Sequence, residues 1–291
     1  MKRYYFLIGL ACVFFLTAFT NSDTAYEAQI KDWHQKRIES LKAESGWLNL
    51  AGLFWLKEGT NTFGSDEQND ILFPKEKSNP FLGEINLNKG KITLNAKPGS
   101  EVYAGDQPVS ELDLFPEGKP VTLKHQSLRW FVIKRGDKYA IRLRDLESQY
   151  LKEFTGIERF PVQEKWRVRA RFEPTVGRTV PITDVTGRTE NQVSPGTLIF
   201  QVDGKEYKLD AVGTPDNLFI IFADQTNKSL TYGAGRFLYA SVEPDGTAWL
   251  DFNKSINPPC AFSPYATCPL PPKQNKLTVA VTAGEKRYGD H

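Results

Sequence analysis

Lys138-Tyr139-Ala140-Ile141-Arg142-Leu143-Arg144 alternates residue by residue: Tyr139, Ile141 and Leu143 share one face, while Ala140, Arg142 and Arg144 share the other. A repeat of two is that of an extended strand with one buried side. Arg135-Gly136-Asp137 joins it to a second apolar run over 128–134, and the tripeptide, although it matches an adhesion motif, reads first as a Gly-Asp hairpin turn. Towards the amino terminus, short runs fall at 47–56, 59–65, 92–96, 101–104 and 121–124, separated by turn residues. Regular short strands with turn signals predict a β-sandwich.

Towards the carboxyl terminus the pattern breaks over 146–161 and then resumes. Trp166, Val168, Ala170 and Phe172 alternate with Lys165, Arg167, Arg169 and Arg171, giving a strand with one apolar and one basic face; the basic face is either solvated or a seat for an anionic ligand. Asp203-Gly204 marks a hairpin between 198–202 and 205–209, and 218–222 reads as a buried strand. Runs at 236–242, 246–252 and 277–281 complete a second antiparallel β-sandwich or barrel. The fold class is therefore mainly β.

One helix precedes these strands. Ile30, Trp33, Arg37, Ile38 and Leu41 form a stripe, Gly46 ends it, and His34 beside it reads as a surface or hydrogen-bonded histidine rather than a ligand. The organisation expected is a signal peptide at 1–22, a helix at 23–46, a sandwich at 47–150 and a second β domain at 151–291. The signal rests on Met1-Lys2-Arg3 followed by an apolar run to Phe19, short of the ~20 residues that span a bilayer. Cleavage is expected after Ala18 and before Tyr26, removing Cys12 and leaving an exported periplasmic or secreted product rather than one held by an uncleaved anchor.

The 291 residues exceed one typical core, and a 40% hydrophobic content excludes a disordered chain. Thirty-seven basic against 35 acidic residues give a formal charge of +2, too balanced for a sequence-independent grip on nucleic acid. Cys260 and Cys268 fall in the proline-rich stretch Asp251–Pro272, which is too stiff for a helix or central strand. In an oxidising compartment these two thiols are expected to pair. Their spacing is neither that of a redox Cys-x-x-Cys pair nor that of a zinc site, so neither metal nor cofactor is expected.

Several strings carry a family resemblance: Trp47-Leu48-Asn49-Leu50-Ala51-Gly52-Leu53, Thr231-Tyr232-Gly233-Ala234-Gly235-Arg236-Phe237, Asp251-Phe252-Asn253, Asn257-Pro258-Pro259-Cys260, Tyr265-Ala266-Thr267-Cys268-Pro269 and Ala283-Gly284-Glu285-Lys286. Over nearly the whole mature chain they resemble the domain-of-unknown-function family numbered 1684, which implies membership and no chemistry. More weakly, residues 59–144 resemble forkhead-associated β-sandwiches. Ser65 stands where their phosphate-binding arginine would be, no Ser-x-x-His follows, and Tyr103-Ala104-Gly105 replaces Asn-Gly. That resemblance implies the scaffold without phosphothreonine recognition, so no phosphopeptide partner is expected.

Polar residues at predicted element ends define the candidate site. Asp224 follows the strand at 218–222, Tyr232 and Arg236 bracket Gly233-Ala234-Gly235, and Asp251 and Asn253 lead towards Asn257 and Tyr265. Strand ends on one rim are where β-domains build sites. An Arg236 fork facing Asp224 or Asp251 is either a structural pair or a seat for a ligand carboxylate or phosphate, with Tyr232, Asn253, Asn257 and Tyr265 as walls. The reading preferred is binding of a small polar or anionic ligand by the second domain. The alternatives are a hydrolase using Asp224 and Asp251 as an acid/base pair, and a non-catalytic envelope scaffold.

Overall fold

The computed structural model describes residues 24–289; the expected signal peptide and Cys12 lie outside them. Helix α1 occupies 24–42. Its stripe is real: Ile30 and Leu41 are buried, Trp33, Arg37 and Ile38 half-buried, and Tyr26 extends the stripe by one turn. No helix among the described residues is long and apolar enough to cross a membrane.

Two compact units follow from the contacts within the chain. The first comprises 41–155 with 263–266, and the second comprises 24–40, 156–262 and 267–289. The first contains β1 (Leu50–Trp55), β2 (Gly59–Gly64), β3 (Ile71–Leu72), β4 (Gly83–Asn88), β5 (Lys91–Ala96), β6 (Tyr103–Ala104), β7 (Gln107–Pro108), β8 (Glu111–Asp113), β9 (Leu123–His125), β10 (Leu128–Arg135) and β11 (Lys138–Asp145). They make one sheet ordered β1-β11-β10-β9-β6-β7 and another ordered β3-β2-β4-β5-β8. Ile141 and Leu143 point inward from β11, as their alternation requires, and meet Phe63, Ile85 and Leu94 of the other sheet in one core. Phe73 packs edge to face on both Phe63 and Trp130 there, and the three ring centroids lie 5.2–5.9 Å apart. Arg135 pairs with Lys138 across Gly136-Asp137, so the Arg-Gly-Asp string is a hairpin turn. Trp47–Asn49, read as strand from sequence, is instead a turn of 3-10 helix ahead of β1. The break expected after β11 holds a short helix, α2 (Gln149–Glu153), capped by the Ser148 hydroxyl, which accepts from the Leu151 N–H.

The second unit runs through β12 (Arg167–Pro174), a separate hairpin of β13 (Thr179–Thr183) and β14 (Thr189–Val193), then β15 (Gly196–Val202), β16 (Lys205–Thr214), β17 (Asn217–Phe222), β18 (Arg236–Ala240) and β19 (Thr247–Asp251). Six of these form an antiparallel sheet ordered β18-β17-β16-β15-β12-β19. A bridge between Val242, just beyond β18, and Ala248 of β19 links its two edges, curling it into a barrel. Asp203 and Gly204, both at positive φ, turn the β15–β16 hairpin as their sequence predicts. Phe252 is fully buried and meets Trp166, Phe200 and Phe222 at 5.4–6.2 Å, anchoring a core that also holds Ala170, Leu198 and Leu250.

One predicted strand is corrected. Residues 277–281 alternate but form none, because their backbone groups serve other partners: the Leu277 N–H donates to the Ala223 carbonyl, and the Val281 carbonyl accepts from Arg236. Alternation records which side chains are buried, and an irregular segment pinned on the barrel can bury every second one too.

Candidate functional site

Arg236 opens β18 and is 0% exposed. Its Nη2 donates to Asp224 Oδ2 at 2.8 Å and to the Val281 carbonyl at 2.9 Å, while Nη1 donates to the Ala283 carbonyl. The guanidinium also lies 5.2 Å from the Phe222 ring centre. Asp224 Oδ1 accepts from the Thr226 N–H (2.8 Å), the Thr226 hydroxyl (2.6 Å) and the Val281 N–H (3.2 Å). A buried ion pair is tolerable only with such additional bonds. Arg236 thus clamps the irregular segment around 281–285 to the barrel. Gly235 makes the approach possible: at φ +94° it sits where a Cβ would meet the Phe222 carbonyl at 2.6 Å and Pro271 Cγ at 2.5 Å.

Asp251 belongs to a separate network. The Tyr26 hydroxyl donates to its Oδ1 at 2.7 Å, Asn253 Nδ2 donates to the Tyr26 oxygen at 3.1 Å and to the Gln163 carbonyl at 2.9 Å, and Lys254 Nζ stands 3.7 Å from Asp251 Oδ2. Burial, followed by the bond to Asp251, pushes the Tyr26 phenol above its ordinary range. This network fastens the first turn of α1 to the end of β19.

Asn257 is fully buried in a third network, centred on Glu285. Glu285 Oε2 accepts from the Asn257 N–H at 2.6 Å and Oε1 from Arg37 Nε at 3.3 Å; Arg37 Nη2 also donates to the Asn257 carbonyl at 3.2 Å. Burial drives the Glu285 carboxyl upward, against the opposing pull of Arg37 and the Asn257 N–H. Cys260 and Cys268 form a disulfide with Cα atoms 6.1 Å apart.

Of the sequence-predicted residues, Asp224 and Arg236 are direct partners, as are Asp251 and Asn253. Tyr232 is half-buried, its hydroxyl raised in pKa by burial, and its carbonyl accepts from Asn227 Nδ2 at 2.7 Å. Tyr265 is 37% exposed and lies in the 263–266 segment that groups with the sandwich unit. Glu285, Arg37 and Tyr26 complete the networks and were not singled out as site residues. Glu285 lies in the Ala283-Gly284-Glu285-Lys286 string that carries the family resemblance; Arg37 shows in the sequence only as part of a helical stripe, and Tyr26 carries no signal there.

A concave feature lies elsewhere on the barrel. A groove of about 440 Å³ runs over the outer face of β12, β15 and β16, lined by Arg169, Arg171, Ile199, Gln201 and Glu206. It is part of the basic stripe. Arg169 Nη2 reaches Glu243 at 2.8 Å and Asp245 at 2.7 Å, and Arg171 pairs with Glu173. Beside the groove, Arg167 lies 4.7 Å from the Trp249 ring centre and 5.3 Å from that of Tyr26. It makes no ion pair among the described residues. No cluster of three or more metal-ligating side chains occurs among the described residues.

The profile of a family described as a protein of unknown function (DUF1684) matches residues 152–286, which hold Asp224, Arg236, Asp251, Asn257 and Glu285 but not the sandwich. No curated protein matches the chain. Among solved structures, the solution NMR structure of an uncharacterized protein of Haloarcula marismortui is 32% identical, covering 48% of this chain and 80% of that one with a TM-score of 0.40. The profile match places residues 152–286 in the DUF1684 family of proteins of unknown function.

Proposed function

We propose that the chain is an exported binding protein that holds a small polar anion in the barrel groove over Arg169 and Arg171. The carrying observation is that groove, where two guanidiniums, the Gln201 amide and the Glu206 carboxylate converge around Ile199. The surface ion pairs that occupy Arg169 and Arg171 are of the exposed kind worth ~0–1 kcal/mol, so an incoming oxyanion exchanges with them at small cost. Arg167, over the Trp249 ring and in no ion pair among the described residues, adds positive potential beside the groove. The Arg236 cluster does not serve this role, because its guanidinium is wholly enclosed and committed to Asp224 and backbone carbonyls. Nor does the geometry favour acid/base chemistry, since Asp224 and Asp251 accept from different sets of internal donors. The Cys260–Cys268 disulfide supports export, an oxidising compartment being where such bonds persist.

Calorimetric titration with citrate and inorganic phosphate, set against neutral sugars, tests the reading. Anion binding should weaken as salt rises, because exposed charges are screened over ~8–10 Å, and should vanish in Arg169→Ala/Arg171→Ala. If that double variant binds as the parent does, or no anion binds at low salt, the proposal fails.

A further inference from the structure

The outward face of the first sandwich sheet carries a guanidinium unlike its neighbours. Arg142 stands in β11 between Leu53 of β1 and Phe131 of β10. It is only 5% exposed, yet its Nε and Nη2 have no hydrogen-bond partner among the described residues. The two arginines nearest along the face are satisfied. Arg144 donates through Nη1 to the carbonyls of Glu44 (3.2 Å) and Gly46 (2.6 Å), and Arg129 pairs with Glu44 at 2.9 Å. The charges acting on Arg142 are cationic, so burial first, then Arg135 and Arg144, pull its pKa down to about 10.

The Trp47 ring, 5.9 Å from the guanidinium carbon, contributes a cation–π contact. Beside that contact, Nε and Nη2 have no hydrogen bond among the described residues. Nε–H and Nη2–H lie on one edge of the planar group and point the same way, the fork that two oxygens of one carboxylate fit. An unpaired buried charge ordinarily costs several kcal/mol. Besides Arg129 and Arg144, the side chains next to Arg142 on this face are apolar: Leu53, Ala140 and Phe131, with Trp55, 44% exposed, opposite Ala140.

We propose that this face binds a monocarboxylate with an apolar body, its two oxygens on Nε and Nη2 of Arg142 and its hydrocarbon against Leu53, Phe131 and Trp47. One unpaired cation calls for one negative charge, and the apolar surround favours a fatty or aromatic acid over a hydrated phosphate. Because the fork is buried, entry displaces the half-buried Trp47 ring, and Trp47 fluorescence reports occupancy.

The test is titration of the mature chain with octanoate, with octanol and inorganic phosphate as controls, read by calorimetry and by tryptophan fluorescence. Octanoate should bind saturably at one per chain and raise the Tm, whereas octanol and phosphate should do neither at this face. Arg142→Lys, which keeps the charge but loses the fork, should weaken binding by about tenfold or more. Arg142→Met should abolish it while leaving the ligand-free Tm unchanged or higher, since it removes an uncompensated charge. Arg169→Ala/Arg171→Ala should bind octanoate as the parent does, which keeps this face distinct from the barrel groove. Octanoate binding that is absent, or unaltered in both Arg142 variants, overturns the proposal. So does a ligand-free Arg142→Met chain that melts several degrees lower, an outcome that makes Arg142 a packing residue only.

Discussion

Asp224→Asn exchanges one oxygen for an amide and should severely destabilise the barrel unit. Asp224 accepts from four donors, Arg236 Nη2, the Thr226 N–H, the Thr226 hydroxyl and the Val281 N–H, and has none to spare. An amide must turn its NH₂ either towards the guanidinium or towards the Thr226 and Val281 donors, and it leaves a fully buried cation without its counter-charge. Breaking a buried pair from one side costs about 3–5 kcal/mol. At ~1.4 kcal/mol per decade, protection from hydrogen exchange in peptides covering 217–240 and 276–286 should fall by about a hundredfold to several thousandfold. Arg236→Met in the same background removes the stranded cation, so the double variant should be less damaged than the two single losses added, by about 1–3 kcal/mol. Less than tenfold loss of protection in Asp224→Asn, or strict additivity in the cycle, would refute the view of Arg236 and Asp224 as one buried, mutually dependent clamp.

Three further outcomes are expected. Gly235→Ala should cost about 1–3 kcal/mol, because φ +94° and the Phe222 carbonyl both oppose a Cβ, whereas Gly233→Ala, whose nearest neighbour is Lys228 Cγ at 3.4 Å, should be nearly neutral in urea denaturation. Glu285 binds its proton more tightly folded than unfolded, so its contribution is greatest below the ordinary carboxylate range and is lost as pH rises through the raised folded value. Glu285→Gln should therefore gain in Tm relative to the parent between about pH 4 and pH 7, and a constant difference across that range would count against the buried carboxyl. Reducing the Cys260–Cys268 bridge, or replacing both cysteines by serine, should cost about 2–3 kcal/mol for so short a loop, measured as a lower Tm under dithiothreitol in the parent but not in the serine variant.

Much of this architecture is written in local periodicity. The alternation at Lys138–Asp145 and Arg167–Pro174, the Asp203-Gly204 turn and the stripe of α1 each depend on neighbours within a few residues, and each forms where the pattern places it. A strand or helix with one buried face must show that face in its own residues. Local pattern fails where backbone groups are claimed from afar. Residues 277–281 have a strand's alternation, but Ala223, Asp224 and Arg236 take their hydrogen bonds. The same limit governs the candidate site. Asp224, Arg236, Asp251 and Asn253 were recognisable as polar residues at element ends, but which carboxylate faces Arg236 is a matter of distance across the barrel. Tyr26 meets Asp251, and Arg37 meets Glu285, across more than 200 residues of sequence. Burial too is decided only in three dimensions: one guanidinium, Arg236, gives both terminal nitrogens to Asp224 and backbone carbonyls in the barrel core, whereas another, Arg142, is almost as hidden from water with its Nε and Nη2 unserved among the described residues. Both are arginines in β-strands, and only the packing around them sets one to hold the fold and leaves the other with bonds still to make.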